Sequence, residues 1–429
     1  MSITLNEKQQ YAYDRIQAGK NVFITGPGGV GKSVLIGRLR DEAGADTILM
    51  APTGIAAQNI QGSTIHRIFQ FPFGFITKSA RRNISAKAKS LFEGSDIKRI
   101  VIDEISMVRS DVIAAIDMQL RIIRKTMKPF GGIQIVLVGD FFQLAPILKR
   151  NSAEANLLLS EFKSMYAFDT QAWAEGGFEM IYLDQVMRQS DETFVNALNQ
   201  IRLKKDGYRK ALEFLNTEAM KEKEASEAIF LCATNAEADV VNNYYFDEIK
   251  EKPFTFRGNV SGSFTEFPVP KVMDLKETAR VLICANNAEV GYFNGQTGVI
   301  TNIGNKVIRV KLDDGSTVEV EEYKWDEYSY VKQNGKVVKT IVGSYWQMPI
   351  KLGYGITIHK SQGMSLNAAV LHTSGKCFAH GQAYVALSRL RSLEGLMMLQ
   401  PMLASEIIVD PLVSKFYEEV KIREESGMI

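Results

Sequence analysis

Two short stretches carry residues whose types and spacing suit phosphate chemistry. In FITGPGGVGKS, residues 23–33, Gly26 is followed by four residues and then by Gly31, Lys32 and Ser33. Between Gly26 and Gly31 the run Gly28, Gly29 and Val30 lets backbone N–H groups converge on phosphate oxygens. Lys32 reaches the terminal phosphates of a nucleotide, and Ser33 can ligate magnesium at a helix N-terminus. The second stretch is RIVIDE, residues 99–104. Asp103 at the end of an apolar run can hold magnesium through water, and Glu104 can orient an attacking water. Acidic residues also end strands as helix caps. The upstream phosphate loop favours the chemical role here, and Glu104 points to hydrolysis of the nucleotide rather than binding alone. Gln9, in LNEKQ shortly before the first strand, can offer one donor and one acceptor to an adenine edge.

A third stretch, IQIVLVGDFFQLAPI at 133–147, begins as a strand buried on both faces and then breaks into Gly139, Asp140, two phenylalanines and Gln143. Such a strand delivers Asp140 and Gln143 beside the nucleotide, while Phe141 and Phe142 either relay a response or close the core. Two arginines complete the set. Phosphoryl charge is stabilised by arginine supplied across a domain interface, and Arg188 in YLDQVMRQS and Arg389 in AYVALSRLRS are placed for that task. An arginine without such a context is better read as a surface ion pair.

These residues need a scaffold that presents them together. From residue 21 to about 185, NVFIT, TILMA, RIVID, QIVLV and MIYL alternate with helix-length segments, which predicts a parallel sheet with helices on both faces. A second series starts at AIFLCAT, 228–234, and resumes with AAVLHT and LMMLQ near the C-terminus. Between them, residues 297–343 show short alternating runs split by Asp-Gly and Asn-Gly, the hairpin signal, which predicts a small antiparallel barrel. A smaller insertion, GSTIHRIFQFPFGFITKSARRNISAKAKS, places four phenylalanines ahead of Lys78, Arg81, Arg82, Lys87 and Lys89. It reads as an aromatic wedge with a basic arm, although packing onto the first domain accounts for at least half of its phenylalanines.

Composition narrows the class. A chain of 429 residues predicts two or more domains, and 45 % hydrophobic with 23 % charged residues describes an ordinary globular protein. No apolar run reaches the ~18 residues of a membrane span, and the N-terminus has no signal-peptide character. A cytoplasmic protein is expected. Cys232, Cys284 and Cys377 are widely spaced and suggest neither a disulfide framework nor a zinc site. A net charge of +2 decides nothing about partners. A guanine-specific switch would need an N-K-x-D motif and a D-x-x-G after the second strand, and neither is present.

The order of LNEKQ, GPGGVGKS, APTGIAAQNI, GSTIHRIF, VIDEISM, GGIQIVLVGDFFQLAP, LDQVMRQ, ATNAEADVVN, GYGITIHKSQGMSL and AYVALSRLRS resembles the motif series of superfamily one DNA helicases. Among these it is most similar to the Pif-one (petite integration frequency) family of 5′-to-3′ motors, in a minimal bacterial form. The motifs span residues 5–391. The resemblance implies an α/β fold of two RecA-like parallel-sheet domains. The first covers 1–62 and 90–185 with a wedge insertion at 63–89. The second covers 186–265 and 346–429 with an SH3-like barrel at 266–345. It implies ATP and Mg2+ as cofactors and Gln143 as a sensor of the γ-phosphate. The implied DNA contacts are Pro52, Thr53, Thr64 and His66 on the first domain, and Thr234, Asn235, His359, Lys360, Ser361 and Gln362 on the second. Single-stranded and tailed or forked duplex DNA are the implied partners, with G-quadruplexes and RNA–DNA hybrids within the family's range. A monomer associated with the nucleoid is expected. The alternatives are a RecD-type recombination motor and a non-motor, nucleotide-dependent DNA-binding ATPase.

Overall fold

Apolar runs bounded by Gly and polar residues become strands close to where the sequence places them. The computed structural model describes residues 5–425 apart from 45, 73, 147, 149–151, 187–190, 222–227, 266, 288, 305, 334–335, 374 and 376. Its first sheet contains Val22–Thr25 (β1), Thr47–Ala51 (β2), Ser63–Thr64 (β3), Arg99–Ile102 (β4), Gln134–Val138 (β5) and Glu179–Tyr182 (β6). Their spatial order is β3-β2-β4-β5-β1-β6, and every neighbouring pair is parallel. Every residue of β1 and β2 is buried, as a sheet covered on both faces requires. Helices Glu7–Gln17 (α1) and Lys32–Asp41 (α2) pack on this sheet, and Ser110–Arg124 has a largely buried face. The two-residue edge strand β3 has no hydrophobic pattern that could have announced it.

The chain divides into two compact units. One comprises Met1–Met187, Glu327–Val342 and Asp410–Ile429; the other comprises Arg188–Asp326 and Gly343–Val409. The C-terminal helix Pro411–Glu425 therefore belongs with the first unit, whereas the sequence reading assigned 346–429 to the second domain. Aromatic packing is the reason. Phe416 stacks on Phe168 at 4.3 Å and meets Phe141, Trp173 and Phe23 at 5.7, 5.8 and 6.2 Å. Asp410 caps the helix by accepting from Leu412 N (3.0 Å), and it also accepts from the Tyr166 hydroxyl (2.9 Å). The segment from Glu327 joins the first unit as well, where Glu327 pairs with the largely buried Arg67.

The second unit holds a parallel sheet of Gly355–Thr357, Ile229–Cys232, Ala369–His372 and Leu396–Met398, in that order. Gly355–Thr357 lies inside a stretch that reads as a tight loop, since its three residues, Gly355, Ile356 and Thr357, are too few to carry a periodicity. An antiparallel five-stranded sheet runs 317–321, 307–312, 297–303, 280–283 and 350–352. The all-β region begins earlier than residue 266, because Phe254–Arg257 and Asn259–Gly262 pair with Val272–Leu275 and with Gly343–Trp346. Both early strands are largely exposed and only four residues long, so the alternation of Phe254 and Phe256 is too short to mark a strand by itself.

In the wedge insertion, Phe69 and Phe71 are buried and stack on one another at 5.2 Å, and Phe69 also stacks on Phe92. Arg81 is buried too, paired with Glu161 at 2.5 Å and bonded to Ile76 O. These two phenylalanines and this arginine are packing residues. Phe73 lies outside the described residues.

The C-terminal helix should contribute measurable stability. Replacing Phe416 by Ala removes its half-buried ring from this cluster at a cost of about 3 kcal/mol, the low end for a phenylalanine. A fall of several degrees in the thermal unfolding midpoint is expected, against no change for Leu412→Ala, whose side chain is exposed.

Candidate functional site

Because β1, β4 and β5 run in parallel, the residues after Thr25, Ile102 and Val138 emerge on one edge of the sheet. After Thr25 the chain enters the phosphate loop. Gly26, Gly29 and Gly31 have φ of 145°, 84° and 81°, which side chains other than hydrogen rarely tolerate. At Gly26 a Cβ would lie 2.0 Å from the Leu183 carbonyl oxygen, so the first loop position is also sterically closed. Gly28 is half-buried, Val30 is buried in the core beneath the loop, and α2 begins at Lys32. Lys32 Nζ donates to Gly26 O (2.7 Å) and Pro27 O (2.9 Å), spanning the loop. Ser33 is exposed in the first turn of α2.

After Ile102 come the two carboxylates. Glu104 adopts a left-handed backbone (φ 50°, ψ 46°), an uncommon state for a non-glycine residue, which turns the chain sharply into the short helix Ile105–Met107. Its N–H donates to Asp103 Oδ1 at 2.8 Å. Burial, and secondarily the neighbouring Glu104 charge, push Asp103 up to about 8, opposed by that hydrogen bond and by Lys32. A carboxylate whose ionisation is so disfavoured fits a site built for a cation, whose charge would reverse the shift.

After Val138 the chain makes a turn closed by Gln143 N donating to Asp140 O (2.9 Å). Gln143 and Asp140 are buried, and Asp140 Oδ1 accepts from Phe142 N (3.1 Å). Asp140 therefore shapes the turn, a correction to the expectation that it faces the nucleotide beside Gln143. Phe141 is enclosed by Phe23, Tyr166, Phe168, Trp173 and Phe416, and Phe142 stacks on Tyr417 at 4.8 Å. The Tyr417 hydroxyl lies 2.6 Å from Thr25 Oγ1 and accepts from Phe141 N at 3.3 Å. Neither Thr25 nor Tyr417 was legible as a site residue, since KFYEEV reads as an ordinary helix surface.

Gln9 also differs from its sequence reading. It is buried; its Oε1 accepts from Asn6 N (2.9 Å) and its Nε2 donates to Val30 O (3.2 Å) and Gly31 O (3.4 Å). Its amide closes a capping box with Asn6 and ties α1 to the phosphate loop instead of displaying both groups to a base. The N-x-x-Q spacing was the available signal for this role.

Among the DNA candidates of the first unit, Thr53 and Thr64 cap the helices Gly54–Asn59 and Ile65–Phe69, accepting from Ala56 N (3.2 Å) and Arg67 N (3.3 Å). Pro52 is half-buried beside Thr53. His66 is held below its ordinary value by burial and then by Arg109, so at neutral pH it is an uncharged imidazole.

In the second unit Thr234 caps Asn235–Glu248 through a capping box with Glu237, and Asn235 is exposed. His359 is likewise lowered by burial; Lys360 is exposed and Gln362 half-buried. Ser361 is fully buried and its hydroxyl donates to Ile358 O at 2.8 Å, which makes it a turn-forming residue and corrects its reading as a DNA contact. Arg389 is buried, with Nε donating to Val385 O (3.0 Å) and Nη2 to Ser388 Oγ (3.0 Å). Arg188 lies outside the described residues.

Comparison with known proteins points one way. The PIF1-like helicase family profile matches residues 4–206. The ATP-dependent DNA helicase Pif1 of Bdellovibrio bacteriovorus is 30 % identical over 428 residues, covering 97 % of this chain and 92 % of that one. The crystal structure of Bacteroides sp. Pif1 in complex with ADP-AlF4 is 33 % identical, covers 98 % of both chains and superposes with a TM-score of 0.88. Pif1 from Bacteroides in complex with ADP-AlF3 and single-stranded DNA has the same identity and coverage and a TM-score of 0.70. The chain spans 65 % and 61 % of the length of the Xenopus laevis and Danio rerio relatives it matches. Among the described residues no helix is long and apolar enough to cross a membrane.

The crowding at Gly26 gives a direct test of the phosphate loop. Gly26→Ala should weaken binding of a fluorescent ATP analogue by more than about tenfold while leaving the far-UV circular dichroism spectrum unchanged. Parent-like affinity would mean that the Leu183 carbonyl yields and that the loop is not fixed by this contact.

Proposed function

Because the chain belongs to the PIF1-like helicase family, we propose that it is a DNA-dependent ATPase that moves 5′-to-3′ along single-stranded DNA and opens tailed or forked duplexes. The observation that carries this reading is the near full-length likeness, at 33 % identity, to a Bacteroides Pif1 described in complex with both a nucleotide analogue and single-stranded DNA. The local geometry supports the ATPase half: a glycine-closed phosphate loop, a half-buried carboxylate pair and a Gln143 turn share one sheet edge.

In this reading the backbone N–H groups from Gly28 to Ser33 bind the phosphates, and Lys32 leaves its two loop carbonyls to meet the terminal ones. Magnesium, when bound at Ser33 and Asp103, neutralises phosphate charge. Glu104 orients the attacking water and accepts its proton, aimed by its left-handed backbone. Gln143 reports the presence of the γ-phosphate, and Arg188 and Arg389 supply further positive charge. The uncharged His66 and His359 act on DNA as hydrogen-bonding and stacking groups rather than as counterions. Thr53, Thr64, Thr234, Asn235, Lys360 and Gln362 supply polar contacts to the strand. We place the protein in the cytoplasm as a monomer working on nucleoid DNA, with G-quadruplexes among its substrates.

ATP turnover with and without single-stranded DNA, paired with opening of duplexes carrying a 5′ or a 3′ tail, tests the reading. Strong stimulation with opening of the 5′-tailed duplex alone is expected. Turnover indifferent to DNA and neither duplex opened would leave a non-motor nucleotide-binding protein. Glu104→Gln should lower DNA-stimulated turnover by about a hundredfold or more while retaining ATP binding; parent-rate turnover would remove Glu104 from its assigned role.

A further inference from the structure

We propose that Tyr417, on the C-terminal helix, is a positioning residue for nucleotide hydrolysis; this rests on the ATPase reading above. Its hydroxyl stands where two active strands end. Thr25, the last residue of β1, immediately precedes Gly26, and its Oγ1 is 2.6 Å from the Tyr417 hydroxyl. On the other side, Phe141 N donates to the same oxygen at 3.3 Å, and the hydroxyl approaches Asp140 Oδ1 at 3.5 Å. A consistent assignment has Thr25 and Phe141 N donating to the tyrosine oxygen and the tyrosine donating to Asp140. One half-buried hydroxyl thereby fixes the spacing between the phosphate loop and the turn that carries Gln143.

The supporting contacts keep that hydroxyl in place. The ring lies against Phe142 at 4.8 Å with an interplanar angle of 23°. Neighbouring Phe416 is locked among Phe23, Phe141, Phe168 and Trp173. The start of the helix is held by Asp410 and Tyr166. Asp140 also fixes the turn through Phe142 N, and the turn is closed by Gln143 N to Asp140 O. A displacement at Tyr417 is thus passed on to Gln143 through one carboxylate and one turn, and it reaches the phosphate loop through Thr25, whereas Lys32 is held within the loop itself by Gly26 O and Pro27 O. The hydroxyl should therefore govern the rate of hydrolysis more than the affinity for nucleotide.

The test is Tyr417→Phe, which keeps the stacked ring and deletes only the hydroxyl, with Thr25→Val removing the same bond from the other side. Steady-state ATP hydrolysis is measured with and without saturating single-stranded DNA, alongside the thermal unfolding midpoint. The expected result is a fall in kcat of about tenfold in each variant, KM for ATP within twofold of the parent, and an unfolding midpoint unchanged within a degree or two. The double variant should be no slower than Tyr417→Phe alone, since the bond that Thr25→Val deletes is already lost with the tyrosine hydroxyl. Parent kcat in Tyr417→Phe would overturn the inference. So would additive losses in the double variant, or a fall in kcat matched by a fall in the unfolding midpoint, which marks a merely structural residue. A parent protein whose turnover ignores DNA would sink the motor reading separately, and the Tyr417 inference would still be decided on turnover without DNA.

Discussion

Parallel pairing of β1 with β5, and of β5 with β4, is the constraint from which the rest of the site follows. Strands that run the same way must leave the sheet on the same side, so three exits lie within a few residues of one another. Each exit is then specialised by backbone conformation. Glycines turn the first into a phosphate cradle, a left-handed glutamate turns the second, and an aspartate-stabilised turn shapes the third. The chemistry is thus a property of strand ends, and the buried apolar strands behind them supply the rigidity that holds loop atoms to fractions of an ångström.

Rigidity of this kind costs conformational freedom, and at the site it is offset by hydrogen bonds to loop carbonyls and strand ends. Gln9 anchors the loop from one side through Val30 O and Gly31 O. Tyr417 anchors the neighbouring strand ends from the other through Thr25 and Phe141. Both are polar side chains with apolar or helical supports, and both reach the site from outside the β-α units that contain the recognised motifs.

That distribution explains what could be read in advance. The strands VFIT, TILMA, RIVI and QIVLV announce themselves because uninterrupted apolar runs between polar boundaries have one economical use. Lys32 and Asp103 could be placed because their roles depend on local spacing. Gln9 and Asp140 were assigned to the site on residue type, but their partners, Val30 O and Phe142 N, are backbone atoms that no residue type reveals. Ser361 was misjudged for the same reason. The membership of Pro411–Glu425 could not be read at all, because an amphipathic helix shows that it has an apolar face without showing which surface receives it. Short edge strands such as Ser63–Thr64 carry too few residues for any period to emerge.

The discontinuity of the first unit has a consequence for biosynthesis. During synthesis, residues 5–187 emerge early and can form the parallel sheet, yet the aromatic cavity around Phe141 and Phe168 stays without Phe416 until the chain has been extended past residue 416. Over that interval the nascent first unit carries an apolar surface that a segment more than two hundred residues downstream covers, while the intervening second unit can fold on contacts of its own. Completion of the first unit is therefore ordered by translation: the unit that is made first is the one that is finished last.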